Sequence, residues 1–324
     1  MSDYKKFLEE LRIQVAGMLG AEYVTGIQQV TKANTGTTDA LIISRRNTAD
    51  TVRPVCCLAP LFREYRDGRS VENIAGDILE AYHEQAAHME ETAGKLGWIA
   101  DYGHCREKIY FRMVNTEKNR AFLEDKVHFE VLDLSMVFYI LVSRDNGRTV
   151  AVAVQKKLSE SWGIPAGEIR KQAEKNTPGL FPARVQPLVS IMKELLDAAG
   201  TDEGTGELQD ATESRFLETE QEEPFMMTNA GGLNGFSVVL YPQTLKNFSD
   251  SMGKDLYVLP SSVHEAFLIP ADSPAESGEL QEIVRDVNMT VVAQEDFLSD
   301  NVYYYDREKN ELRIAGEADV CVKL

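Results

Sequence analysis

Apolar residues recur at helical spacing in four stretches of this chain. In MSDYKKFLEELRIQVAGMLG, the side chains of Phe7, Leu8, Leu11, Val15, Met18 and Leu19 share one face, which predicts an amphipathic N-terminal helix. SVENIAGDILEAYHEQAA repeats the pattern with Val71, Ile74, Ile78 and Tyr82 inward and Ser70 placed to cap the first turn. Leu188, Ile191, Met192, Leu195, Leu196 and Ala199 form a third stripe, and Leu280, Ile283, Val284 and Val287 a fourth. Between them lie shorter apolar runs of strand type: DALIIS, RPVCCL, VHFEVL, FSVVL, TVVA, VYYYD and ELRIA.

The clearest hairpin joins LSMVFYILVS to TVAVAV through Asp145-Asn146-Gly147, because Asn and Gly both accept the positive φ that a tight turn requires. A second supersecondary unit spans Leu240 to Pro270. An apolar run leads into a short amphipathic helix, returns as LYVL, turns at Pro260-Ser261-Ser262 and leaves as AFLIP. A local echo accompanies these units. PVCCLA leads to Leu61, Tyr65 and Gly68, then a helix bearing Ile74; VAVAV leads to Leu158, Trp162 and Gly163, then a helix bearing Ile169. An old duplication or the shared physics of short strand-helix units would each produce it. Strands and helices mixed without regular alternation predict an α+β fold with antiparallel hairpins rather than a doubly wound sheet.

Charge changes this picture in one place. The formal net charge is −18, and residues 197–223 hold ten acidic residues against the single Arg215. Such a segment, rich in Gly, Thr and Glu, buries too little apolar surface to offset the entropy of ordering. The expected layout is an N-terminal α+β domain over 1–199, an acidic flexible linker over 200–223, and a C-terminal α+β domain over 224–324. Basic residues cluster no further than pairs such as Arg45-Arg46 and Lys156-Lys157, so nucleic acid is not an expected partner. Apolar runs such as 136–142 are too short to cross a bilayer, so no membrane association is expected. The first twenty residues carry Glu9, Glu10 and Arg12 where a signal peptide would be apolar, and the four cysteines form no CxxC pair. Both point to a reduced, cytoplasmic setting, with Cys56 and Cys57 read as small core residues rather than a vicinal redox pair.

The run VNTEKNRAFLE, the strand LDLSMVFYILV, the WGIP turn with AEKNTP after it, and LYVLPSSVHEAFLIP with VYYYDRE resemble an uncharacterised bacterial family, a domain of unknown function typical of Clostridia and their relatives. The resemblance covers most of the chain outside the linker. It implies a bacterial cytoplasmic origin and supplies no catalytic residues.

Candidate chemistry is sparse. His83 and His88 stand five apart, about 140° around a helix, whereas the two histidines of a zinc-protease helix stand four apart on one face. His128, Glu130 and Asp133 are too few and too mixed to specify a metal site. Gly231-Gly232-Leu233-Asn234-Gly235 precedes a strand-like run rather than a helix, the wrong order for a phosphate cradle. Neither a metal nor a cofactor is expected. Ser261, Ser262, His264 and Glu265 gather at one corner and are the candidate ligand-binding residues; a turn whose hydroxyls satisfy backbone groups and whose histidine anchors the hairpin is the favoured reading of them. Trp162 and Tyr303 to Tyr305 read as core aromatics. Every catalytic motif fails on spacing. The sequence therefore favours a non-enzymatic binding or adaptor protein with a protein partner over a hydrolase that uses the PSSVHE corner.

Overall fold

The computed structural model describes residues 3–46, 55–93, 96–145, 148–191, 224–272, 277–317 and 320–324. The chain is α+β, with three antiparallel sheets among the described residues and helices packed on them. Helix α1 (Asp3–Leu19) leads into the hairpin β1 (Tyr23–Lys32) and β2 (Gly36–Arg45), to which β3 (Val55–Cys57) adds. Helices α2 (Leu58–Arg66) and α3 (Val71–Ala93) complete this module. Its core holds Phe7, Leu11 and Val15 of α1 with Leu41, Ile43, Leu58, Ile74 and Ile78. Ser70 caps α3 as its position implied, its hydroxyl accepting from Asn73 N at 3.2 Å. Met18 falls outside the expected stripe and is exposed.

After the short helix α4 (Tyr102–Cys105) comes a four-stranded sheet. Strand β4 (Ile109–Asn115) is followed by the single-turn α5 (Arg120–Leu123), β5 (His128–Val131), the long β6 (Leu134–Asp145) and β7 (Arg148–Ala153). Both β6 and β7 pair up to Asp145↔Arg148; Asn146 and Gly147, which the sequence places in the turn, lie outside the described residues. Helices α6 (Lys156–Trp162) and α7 (Ala166–Leu180) follow, and α7 packs on β4. The local echo is visible here: α2 stops before Gly68 at φ +100° and α6 at Gly163 with φ +65°, left-handed positions that favour glycine.

The third sheet has seven strands, in the order β14-β13-β12-β10-β11-β9-β8. They are β8 (Ala183–Pro187), β9 (Phe225–Asn229), β10 (Leu256–Pro260), β11 (Ala266–Pro270), β12 (Tyr303–Asp306), β13 (Glu311–Ile314) and β14 (Cys321–Lys323). Helix α8 (Thr244–Met252) precedes β10, and α9 (Ser277–Thr290) covers the outer face through Leu280 and Val284. Strands β8 and β9 pair across 192–223. The main core likewise draws on both sides of that segment, joining Phe111, Phe138 and Ile169 to Leu256, Leu268 and Tyr303. The expected linker and most of the helix ahead of it lie outside the described residues.

Four local expectations need correction. FSVVL is not a strand but a 3-10 turn, Gly235–Leu240. The turn contacts β4 on one side and β9 and β11 on the other, so its apolar run is buried all round and never shows the alternation of a half-buried strand. TVVA is not a strand either. Val291 N and Val292 N both donate to Val287 O, which ends α9 where no neighbouring strand offers a ladder. Ile283 sits on the exposed side of α9. Cys56 is half-buried and packs on the edge of the N-terminal core, and Cys57 is half-buried without belonging to it, while Cys105 is buried and Cys321 exposed; none forms a disulfide.

Two polar clusters hold the units together. Asn34, in the β1–β2 turn, donates to the carbonyls of Glu295 and Phe297 at 2.8 Å each. It also exchanges hydrogen bonds with Asn119. Asp133 accepts from Ser299 Oγ, Asn301 Nδ2 and Tyr303 Oη, tying the β5–β6 turn to the C-terminal strands.

Candidate functional site

The hairpin β10–β11 gathers Ser261, Ser262, His264 and Glu265 as expected, and its backbone closes through Ser261 N to Glu265 O at 3.2 Å. The His264 ring is spent on structure. Asn234 N donates to Nδ1 at 3.1 Å, which places the ring proton on Nε2, 3.0 Å from Asp296 Oδ1. Thr228 Oγ1 donates to the His264 carbonyl at 2.8 Å. Ser262 Oγ accepts from His264 N at 3.0 Å and lies 3.4 Å from Glu265 Oε1, away from the imidazole. Ser261 is half-buried, and its hydroxyl makes no hydrogen bond to the described residues. The corner thus brings together a neutral histidine, two carboxylates and two hydroxyls, but no hydroxyl bonds the ring. A serine nucleophile requires that bond.

Other sequence candidates disperse. His83 is exposed, and the side chain of His88 lies outside the described residues. His128 Nδ1 bonds Lys126 O, Glu130 is exposed, and Asp133 is taken up by its three donors. No group of three His, Cys, Asp or Glu side chains suited to a metal occurs among the described residues. Tyr303 and Tyr305 are buried, and Trp162 is half-buried with Nε1 donating to Ile99 O at 2.9 Å.

A cavity lined by two residues that carry a buried, unpartnered polar atom lies elsewhere, where β4, α7, the Asn229–Asn234 loop and the 3-10 turn meet. It measures about 160 Å³. Tyr110, Phe181, Leu233 and Tyr241 give it apolar wall, and Arg112, Thr149, Asn229 and Ser237 give it polar wall. Most of these polar groups bond one another or the backbone. Thr177 accepts from Phe111 N and donates to Ala173 O, Tyr241 Oη donates to Phe181 O, and Asn229 Nδ2 donates to Leu233 O. Two polar atoms do not: Arg112 Nε and Ser237 Oγ are buried without a partner among the described residues.

Arg112 interrupts the apolar strand IYFRMVN. Its guanidinium donates from Nη2 to Tyr110 Oη and stacks on the Tyr139 ring, with Cζ 4.4 Å from the centroid. Among the described residues no carboxylate pairs with it. Arg144, an exposed residue, donates to Leu180 O at 2.9 Å and lies over the Phe181 ring, again with no acidic partner among the described residues. Burial raises the Tyr139 phenol to about 12 and the Tyr110 phenol in the same direction, with Arg112 opposing both shifts. Burial alone raises Tyr241. These phenols stay protonated, so positive charge in the wall is not cancelled from within. A buried donor left unsatisfied costs about 1–3 kcal/mol, and more when charged. A lone arginine in an otherwise apolar strand is the sequence signal that could have located this site.

A family model described as a family of unknown function, DUF5688, matches residues 4–307, so the chain belongs to that family. No curated protein and no solved structure matches it.

Proposed function

We propose that this member of the DUF5688 family is a non-enzymatic binding protein that takes a small ligand into the cavity beside Arg112. One contrast carries the reading. At the PSSVHE corner both ring nitrogens of His264 are committed to Asn234 and Asp296, whereas in the cavity wall Arg112 Nε and Ser237 Oγ have nothing to bond among the described residues. Binding sites combine apolar walls with a few convergent polar groups, as this cavity does. The hydrolase alternative needs a serine within reach of the His264 ring, and Ser262 bonds the His264 backbone instead.

On this reading the setting is a bacterial cytoplasm, supported by four thiols that form no disulfide. The acidic segment 200–223 serves as a linker, and a protein partner would respond to the loaded state. Among the described residues no helix is long and apolar enough to cross a membrane. Ligand-observed NMR with fractionated metabolites tests the proposal: wild type should attenuate the signals of a bound compound, and Thr149→Trp, which fills the cavity mouth, should restore them. Catalytic turnover of that compound would overturn the non-enzymatic reading.

A further inference from the structure

Six arginines of this acidic chain have found a carboxylate. Arg12, Arg69, Arg106, Arg120, Arg170 and Arg307 all form ion pairs. With 52 acidic residues against 34 basic ones, carboxylates are in excess. Arg112 nevertheless sits half-buried with none. Of its five N–H donors only one, on Nη2, has a partner among the described residues. The fork is held in place all the same, by the Tyr110 hydroxyl on one nitrogen and the Tyr139 ring against its face. A half-buried cation fixed in orientation, and left without a counter-charge among the described residues, is preorganised for an anion.

Size and walls narrow the anion. A volume of about 160 Å³ is comparable to an apolar cavity of roughly 150 Å³ that takes benzene. One guanidinium matches one negative charge, and the planar fork matches a carboxylate in particular. Phe181, Leu233 and Tyr241 offer an apolar surface that an inorganic oxyanion would leave uncovered. We infer that the cavity binds a small monocarboxylate with an apolar body, its carboxylate on Arg112 and Ser237 and its body against Phe181, Leu233 and Tyr241. This rests on the cavity being the ligand site proposed above, and it adds the ligand's charge and class.

Calorimetric titration of the full chain with benzoate, isobutyrate, benzamide and inorganic phosphate tests the inference. At least one of the two acids should bind, and benzamide and phosphate should not compete with it. Arg112→Lys keeps the charge but loses the fork, and should weaken acid binding roughly 10- to 100-fold, the loss that follows from one charge-assisted hydrogen-bonding group. Ser237→Ala should weaken it less. Should Arg112→Lys fail to fold, the comparison of benzoate with benzamide on wild type decides. Benzamide binding as tightly as benzoate, or an Arg112→Lys variant with unchanged affinity, would overturn the carboxylate assignment while leaving a ligand-binding cavity. Phosphate binding in preference to both acids would replace the ligand class. If neither acid binds, the inference fails; if the metabolite fractions also give no bound compound, the proposed function fails with it.

Discussion

Replacing His264 with alanine separates a structural from a functional corner. The substitution removes the acceptor for Asn234 N, a half-buried amide 3.1 Å from Nδ1, and an orphaned donor costs about 1–3 kcal/mol. It also removes the contact to Asp296, whose carboxylate is 38% exposed; solvent screening limits that share to about 1 kcal/mol or less. The Thr228 bond to the His264 carbonyl survives, because it uses backbone. The expected total is about 2–3 kcal/mol, or a fall in Tm of roughly 3–5 °C for a chain of this size. His264→Asn carries an amide oxygen near the place of Nδ1 and should recover part of the loss. Thermal melts of the two variants beside wild type, followed by circular dichroism, measure both effects. An unchanged midpoint for His264→Ala would refute the reasoning, since surface changes stay within about 0.5 kcal/mol, and would return the corner to consideration as a site.

Gly235→Ala should destabilise strongly, by about 2–4 kcal/mol, because a new Cβ would overlap Thr228 Oγ1 and the His264 carbonyl oxygen; a denaturant midpoint equal to wild type would contradict the packing of the 3-10 turn. Cleavage at a protease site engineered within 200–223 should leave fragments that co-elute on size exclusion, since β8 pairs with β9 and the main core spans both sides; fragments that separate would show the cores to be independent. Stability should hold to about pH 10 and then decline. Tyr139 is raised from 10.0 to about 12 and Tyr303 well above 10.0, so both stay neutral in the fold after the unfolded chain ionises. That stabilisation is full below the unfolded value and is lost as pH rises through the folded ones. A Tm that climbs over the same range would reverse the sign.

The legible helices of this chain were those in which one face meets water: α1 and α3 each carry a buried and an exposed face, and their periodicity carried them. The β10–β11 hairpin, whose outer face α9 covers, was legible instead from the Pro-Ser-Ser turn between two apolar runs. FSVVL failed because burial on every side erases periodicity, leaving a run compatible with strand or helix. TVVA failed because β-branched residues favour a strand only where a neighbour pairs with it. At the corner, composition located Ser262 and His264 together, but not that Asn234, thirty positions earlier, would occupy the ring. The cavity was the least legible feature. Its polar wall draws on Arg112, Thr149, Asn229 and Ser237, which only the tertiary fold assembles, and its one local sign was a charge inside an apolar strand.

The division between the two larger cores sets an order of assembly on the ribosome. Every residue of the N-terminal core lies between Phe7 and Leu79, so that module has its full complement while most of the chain is still unsynthesised. The main core reaches from Cys105 to Leu312 and cannot close until nearly the last strand emerges. During that interval the amide of Asn34 faces water, and the carbonyls of Glu295 and Phe297 that receive it arrive late in translation. The early module therefore presents a polar group, the Asn34 amide, at a place where the late-synthesised segment will dock.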